Sequence, residues 1–342
     1  MFLTCFSFEL RYWLRGLMVW VFLLIVTALL LAAGSSDAVQ VGGAVGNTDR
    51  NAPYVIQNFY ATMSLLGMLF TTAFVNSAAS RDFSCGMSQL IYTKPIRKVP
   101  FLLGRFLGAI LVSLIPILGV SLGILLSPLM PWADASRFGP ISWNAHLQSL
   151  LVFALPNALF SGAAIFAVAV LTRSSVASFL AAIGLLVGYS MADAITGDLD
   201  NERMAALIDP FGVRTFVIAT KYWTVAEQNS AVVSLSGLML VNRLIWIGVG
   251  GVILAGAIAR FSFAERRSAA RRSTDTPATS RASTAALPAV RFGDGARLGL
   301  RQFLGTFRFE VRGIVRSPVF LVILLTSLVN LATALSLSTE QG

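Results

Sequence analysis

The chain has 342 residues, of which 56% are hydrophobic and only 12% charged, and its mean hydropathy is +0.75. Soluble domains carry about 25% charged residues, so this composition excludes an ordinary water-soluble protein and indicates one solvated by lipid. The formal net charge of +10 is typical of a nucleic-acid binder only when the cations form a folded basic face, and the membrane topology derived below explains it without such a partner.

The first predicted element is an amphipathic helix over residues 2–15. Large apolar side chains recur every three or four residues, whereas Ser7, Arg11 and Arg15 share the opposite face. A helix with this pattern lies flat at the membrane interface, with its cations towards the lipid headgroups.

Seven segments reach the length of about 20 mostly apolar residues that a membrane helix needs. They are 16–33, 56–79, 106–129, 148–171, 175–194, 241–263 and 318–337. None has a charged residue in its middle, and we expect Asp193 and Arg243, which stand at the ends of their spans, to reach the interface. His146 precedes the fourth span, so we expect it to be solvated. We read the first span as an anchor that stays in the chain, with cleavage as a signal peptide as the alternative.

Positive charge sets the predicted orientation. If the N-terminus is cytoplasmic, 20 of the 26 Lys and Arg residues lie in inner segments, five lie in outer loops, and Arg243 falls at a boundary. The basic excess then faces anionic lipid of the cytoplasmic leaflet. Cys5 and Cys85 would both lie on this side, where thiols stay reduced.

The inner loop over residues 80–105 follows the second span. Its sequence from Arg81 to Thr93 predicts one short amphipathic helix with Asp82 in the first turn, because Phe83, Met87 and nearby apolar residues share a face. Lys94-Pro95 is expected to end this helix, because a proline pushes the preceding residue out of helical geometry.

The outer loop over residues 195–241 contains a predicted turn at Asp209-Pro210-Phe211-Gly212. Thr224 and Glu227 have the spacing of a capping box that opens a helix. These residues either anchor the loop at the interface or take part in an outer gate, and both readings stay open. The residues concerned are Asp209, Pro210, Phe211, Gly212, Tyr222, Trp223, Glu227, Asn229, Asn242 and Arg243.

The N-terminal pattern recurs near the other end of the chain. Glu310, Arg312 and Arg316 repeat Glu9, Arg11 and Arg15 in register, and an apolar run follows both copies. Residues 264–300 are rich in Ser, Thr, Ala, Arg and Pro, which predicts a flexible basic cytoplasmic linker. We therefore expect 1–263 to form one six-span half, and 301–342 to contain the interfacial helix and first span of a truncated second half.

The inner loop contains an acidic residue, a glycine, "TKPI", a basic pair and "LLGR" before a span. In these features it resembles the first cytoplasmic loop of ABC exporter permeases of the O-antigen and drug-export class. In that family the loop is a coupling helix that inserts into a cleft of the ATP-binding subunit, and Glu is common where Asp82 stands here. The resemblance implies coupling residues Arg81, Asp82, Phe83, Gly86, Met87, Thr93, Lys94, Pro95, Arg97 and Arg105.

The outer loop contains "DPFGVRTFVIATKYWTVAEQN" and, after it, "LSGLMLVNRLIWIG". In these two stretches it is similar to large bacterial permeases that carry two membrane halves and a C-terminal zinc aminopeptidase domain. No HExxH motif occurs in this sequence, so peptidase activity is not carried over. The resemblance implies an all-α polytopic protein of a bacterial inner membrane.

The resemblance implies the permease component of an ATP-driven ABC exporter, a transport subunit. We expect no ATPase activity in this chain, since the sequence has no GxxxxGK[ST] loop. ATP and Mg would be bound by a separate ATP-binding subunit, with no cofactor or metal in this chain. The other expected partners are a second permease half and membrane lipids, and no nucleic acid. The alternatives are a non-functional or scaffolding fragment of a larger permease, and an ion-coupled secondary carrier.

Overall fold

The structure is a computed structural model that describes residues 1–36, 46–196 and 202–263, together with 304–305, 307–308 and 311–313. Side chains are described for all of these except Gln89 and residues 191–196. Asp193 therefore has a described backbone only, and its predicted approach to the interface lies outside the described side chains.

The chain divides into two compact units, Met1–Phe261 and Ser262–Gly342. In the second unit the described residues from 304 to 313 are helical, and Arg312 is exposed. Most predictions for this unit lie outside the described residues: Glu310, Arg316, the linker over 264–300 and the span over 318–337.

Within the described part of the first unit, all regular secondary structure is helical. The helices are α1 (Phe2–Arg15), α2 (Leu17–Ser35), α3 (Pro53–Ser84), α4 (Ser88–Tyr92), α5 (Lys98–Leu126), α6 (Trp143–Ser149), α7 (Leu155–Thr172), α8 (Ser175–Thr196), α9 (Glu202–Ile208), α10 (Val213–Thr220), α11 (Val225–Ser230) and α12 (Gly237–Arg260). Two 3-10 turns, Ser127–Leu129 and Ala135–Arg137, follow α5, and a π-helical turn, Leu150–Ala154, joins α6 to α7.

Five helices in the described part of the chain are long and apolar enough to cross a membrane. They are α2, α3, α5 with its 3-10 extension, the continuous α6–α7 helix and α12. The predicted all-α membrane protein is thus confirmed at this level. Helix α8 coincides with the predicted fifth span, but its apolar part with described side chains, Ser175–Ser190, is shorter than the other five. The six-span arrangement therefore stays a prediction.

Hydrogen bonds between loops at one end, and between helix ends at the other, show that the spans run back and forth between two ends of the first unit. At one end, Asn51 exchanges hydrogen bonds of 2.7 Å with the backbone of Gly139, and the amide of Asp49 donates to Asn229 Oδ1 at 2.9 Å. At the other end, which we call the α1 end, Lys98 Nζ donates to a backbone carbonyl of α12 at 3.2 Å. This alternation is what up-and-down membrane helices with short connections produce.

Helices α2 and α5 approach closely along glycines. A Cβ atom placed on Gly123 would lie 2.6 Å from Leu30 Cβ and 2.8 Å from the backbone nitrogen of Leu31. One placed on Gly119 would lie 2.9 Å from the carbonyl oxygen of Leu23. Small residues at such positions let membrane helices pack backbone to backbone, where dispersion replaces the hydrophobic effect as the main attraction.

The helix through α6 and α7 corrects the prediction for His146. The helix begins at Trp143, five residues before the predicted span, so His146 is buried and lies inside the bundle. Its Nδ1 is 2.9 Å from Ser121 Oγ, which in turn is 2.6 Å from the Tyr60 hydroxyl. The π-helical turn directly before Pro156 accommodates the missing amide hydrogen of that proline.

We expect Gly123→Ala to lower the free energy of unfolding by about 1–3 kcal/mol, because the added methyl group must push the α2 backbone away. The matched control is Gly248→Ala in α12, where nothing lies within 4 Å of the new Cβ atom. That change should be neutral or stabilise by up to ~1 kcal/mol, since Ala is the better helix former. The measurement is denaturant unfolding in detergent. Equal free energies of unfolding for both variants and the wild type would contradict the close α2–α5 contact.

Candidate functional site

The first candidate site is at the α1 end, where α1 is tied to α3 by an ion pair. Both guanidinium Nη atoms of Arg81 donate to the Glu9 carboxylate, at 3.1 and 2.9 Å, and the Glu9 side chain is fully buried. The Arg81 guanidinium also lies 3.9 Å from the centre of the Tyr12 ring. A two-pronged pair of this kind fixes orientation as well as distance. Sequence analysis placed Glu9 in α1 but found no partner for it.

A second ion pair ties the next residue of α3 to α5. Arg105 Nη2 donates to Asp82 Oδ1 at 2.7 Å, and its Nη1 donates to the carbonyl oxygen of Ala78 at 3.1 Å. Both side chains are buried. The Arg105 guanidinium also faces the Phe101 ring at 4.5 Å. Adjacent residues of α3 are thus paired with two different helices, so its last turn is held between α1 and α5.

The predicted single helix from Arg81 to Thr93 is wrong. Helix α3 continues as far as Ser84, and Gly86 then takes a left-handed conformation with φ of +66° before α4 begins. Glycine occupies this conformation without the steric cost that a Cβ atom adds, so it ends the helix here. Asp82 therefore lies in the last turn of a long helix and not in the first turn of a short one.

The remaining predicted coupling residues lie on the surface of this loop. We call residues 84–97, which contain α4, the exposed loop. Phe83, just before it, is half-buried, and its ring faces the Arg173 guanidinium at 4.6 Å. Exposed members of the predicted set are Gly86, Met87, Thr93, Lys94, Pro95 and Arg97. Together with Leu90, which is 65% exposed, Met87 gives this surface an apolar centre with cations beside it.

Tyr92 anchors the exposed loop to the bundle. Its ring makes edge contacts with Phe83, Phe101 and Phe261, at centroid distances between 5.8 and 6.5 Å. Burial raises the pKa of the Tyr92 phenol to about 12, and the nearby charge of Asp82 acts in the same direction. The loop is thus exposed at its tip but packed at its base.

The predicted headgroup-facing cations of α1 are exposed, as the amphipathic pattern requires: neither Arg11 nor Arg15 is buried. The apolar side of the helix packs against α5. A Cβ atom on Gly104 would lie 2.7 Å from the carbonyl oxygen of Phe2, and one on Gly108 would lie 2.8 Å from Glu9 Cβ. Helix α1 therefore contacts both α3 and α5.

The second candidate site surrounds Arg243 in α12. The expectation that this cation reaches the interface is wrong, because the residue is only 1% exposed. Its Nη1 donates to Asn157 Oδ1 at 2.8 Å and to the carbonyl oxygen of Phe211 at 3.1 Å. Its Nε donates to Asn242 Oδ1 at 2.9 Å. The guanidinium is therefore solvated by amide and carbonyl oxygens in place of water.

Two asparagines extend this polar network. Asn157 Nδ2 donates to Ser64 Oγ at 2.7 Å, which connects the network to α3. Asn242 Nδ2 donates to the carbonyl oxygens of Ala206, at 2.5 Å, and Asp209, at 2.8 Å. Five segments of the chain meet here: α3, α7, α9, α12 and the connection from α9 to α10.

The predicted turn at Asp209–Gly212 is observed and packs onto Arg243. Asp209 Oδ1 accepts from the amide of Phe211 at 2.8 Å, and Oδ2 accepts from the amide of Arg214 at 2.6 Å. Burial raises the pKa of the Asp209 carboxyl above its ordinary value, although these hydrogen bonds oppose the shift. Gly212 has φ of +75°, and a Cβ atom there would collide with the Arg243 guanidinium.

The rest of the predicted outer set is spread along the loop. Tyr222 is 81% exposed, whereas Trp223 is half-buried beside Tyr54. The predicted capping box is confirmed, since Thr224 and Glu227 exchange side-chain-to-backbone hydrogen bonds of 2.7 and 3.3 Å. Of the predicted outer residues, Asp209 to Gly212, Asn242 and Arg243 form the network, and the others lie outside it.

We expect Arg105→Gln to lower the free energy of unfolding by about 3–5 kcal/mol, because it leaves Asp82 charged and buried without its partner. The double variant Asp82→Asn/Arg105→Gln should recover most of this loss. Lys94→Gln, which changes an exposed cation of the same loop, should stay within about 0.5 kcal/mol of the wild type. Additive losses in a denaturant-unfolding double-mutant cycle would show that the two side chains do not interact.

We expect Arg243→Met to destabilise the protein, since each acceptor left without a donor costs about 1–3 kcal/mol. Arg243→Lys should be intermediate, because one ammonium cannot reach all the acceptors that the planar guanidinium does. Thermal unfolding and trypsin cleavage at the exposed Lys221 report the effect, with Arg203→Gln, a change of an exposed side chain on α9, as the control. A Met variant as stable and as protease-resistant as the control would refute the role given to this network.

The chain matches no protein-family model and no curated protein.

Proposed function

We propose that the chain is the membrane-spanning permease component of an ATP-driven ABC exporter, and that the exposed loop docks a separate ATP-binding subunit. The observation that supports the proposal is the pair of ion pairs at the α1 end, Arg81 with Glu9 and Asp82 with Arg105. Arg81 and Asp82 tie the helix that leads into the exposed loop to two neighbouring helices through buried ion pairs. A docking loop that transmits force needs this combination of an accessible tip and a rigid base.

The contacts at the base support a route for that force. A push on the loop acts on α3 through Phe83 and on α5 through Lys98, the helical residues that directly flank its two ends. Because Asp82 and Arg105 connect these helices, α3 and α5 move together. Helix α1 follows through Glu9 and through its glycine contacts with α5.

The Arg243 network supports a role at the opposite end of the bundle. It holds the connection between α9 and α10 against α3, α7 and α12, so a tilt of these helices would change its hydrogen bonds. We propose that this connection is part of an outer gate.

The structure offers less support for the ion-coupled carrier. Such a carrier needs groups in the membrane that gain and lose protons or ions. The guanidinium of Arg243 is always protonated in proteins, and its nitrogens already donate to the acceptors named above. The network therefore suits a structural role, holding these segments together, better than the transfer of protons or ions. The scaffolding alternative does not require the exposed loop to bind an ATP-binding subunit, and the experiment below distinguishes it from the exporter proposal.

Replacing Met87 and Leu90 by Glu should abolish co-purification of the chain with its ATP-binding subunit, tested with candidate ATPases encoded by neighbouring genes. Both side chains are exposed, so the variant should still insert and fold. The matched control is Tyr222→Glu, an exposed aromatic at the opposite end, which should leave the complex intact. Retention of the ATPase by the double variant would contradict docking at this loop.

The native thiols provide an independent check of orientation. Cys85 is exposed within the loop, whereas Cys5 is half-buried in α1. In a Cys5→Ser background, a membrane-impermeant maleimide should label Cys85 in permeabilised cells only, and bound ATPase should protect it. Labelling of Cys85 in intact cells would place the loop outside and remove the basis of the proposal.

A further inference from the structure

An open groove lies between the start of α5 and the end of α12. Its volume is about 560 Å³, and its walls include Val99 and Leu103 of α5 and Gly251, Ala255 and Ala259 of α12. The three residues of α12 are small and recur every fourth position, so they leave a channel along one face of the helix. Val99 is 46% exposed, which shows that the groove opens to the outside of the bundle.

One end of the groove is cationic. Lys98 lines it and donates from Nζ to the carbonyl oxygen of Ala259 at 3.2 Å, which leaves further ammonium hydrogens for another acceptor. Two exposed arginines stand beside this pair in the chain: Arg97 precedes Lys98, and Arg260 follows Ala259. Residues 83–133 and 228–264 contain no Asp or Glu, so the elements that form this end supply no acidic residue.

The helix ends add to the attraction for an anion. Helix α5 begins at Lys98, and no side chain caps its first amides. The N-terminus of a helix carries about half a positive charge, and its free amides favour anionic groups such as phosphate. The opposite partial charge at the end of α12 is offset by Lys98, which binds the Ala259 carbonyl, and by Arg260 in its last turn.

We propose that this groove is a binding site for an anionic phospholipid, with an acyl chain between Val99 and Ala255 and the phosphate among Arg97, Lys98 and Arg260. Charge complementarity selects this occupant. A helix from a partner would fill the apolar walls but would satisfy the cationic end only with an acidic side chain placed there, whereas an anionic lipid carries both the acyl chain and the phosphate. The inference depends only on the membrane location of the helices and not on the proposed exporter function.

The test compares lipid retention and thermal stability in four proteins: wild type, Arg97→Gln/Lys98→Gln/Arg260→Gln, Ala255→Leu, and Arg11→Gln/Arg15→Gln. The second removes the cations, and the third fills the groove without changing charge. The fourth is the matched control, which removes exposed cations at the same end on α1, away from the groove. Native mass spectrometry counts co-purified phosphatidylglycerol, and nanodiscs of phosphatidylglycerol or phosphatidylcholine give the shift in Tm.

We expect the wild type and the α1 control to retain phosphatidylglycerol and to have a higher Tm in that lipid than in phosphatidylcholine. Both groove variants should lose at least tenfold in retained lipid and most of the Tm difference. Glycerol phosphate, the headgroup without chains, should produce no shift. Equal retention by the cation-free variant, equal stabilisation by phosphatidylcholine, or a change of oligomeric state in Ala255→Leu with lipid retention intact would each overturn the proposal.

Discussion

A charge withdrawn from water must be given a partner, and this requirement shapes both ends of the bundle. At the α1 end the partners are other side chains: Arg81 takes Glu9, and Asp82 takes Arg105. Desolvation makes such pairs weak sources of net stability but makes their disruption costly. Their effect is therefore to select one arrangement of α1, α3 and α5 over others that would bury the same apolar surface.

At the opposite end the same requirement is met without an opposite charge in hydrogen-bonding contact. Arg243 is surrounded by amide and carbonyl oxygens from α7, α12 and the turn after α9. Irregular backbone provides these carbonyls because its acceptors are not used up in a helical ladder. The connection between α9 and α10 thus replaces water around a buried cation. Asp209 contributes its carbonyl to this network and its carboxylate to the turn that positions it.

Apolar runs located the five long membrane helices of the described residues, because the length of such a run in a membrane is set by the thickness of the bilayer. Residue spacing also predicted α1 and the capping box at Thr224, where local spacing alone decides the structure. The failures concern residues whose environment comes from distant segments. Arg243 looked like an interfacial cation because the carbonyls that surround it lie more than 30 positions away. Gly86 was predicted to lie inside a helix, whereas α3 ends at Ser84 just before it. Asp82 pairs with Arg105, 23 positions away, and local spacing cannot reveal such a partner.

The π-helical turn between α6 and α7 has a consequence for the phase of the whole helix. A wide turn holds one more residue than a regular one, so everything on its N-terminal side is rotated by about 100° relative to an unbroken helix. Facing directions extrapolated backwards from α7 therefore fail for α6, where His146 points inward to Ser121. Relaxing the turn to regular geometry would swing that imidazole around the helix axis and exchange the side chains that α6 presents to α3, with no change in the position of α7. The inward direction of His146 therefore depends on the extra residue in this turn.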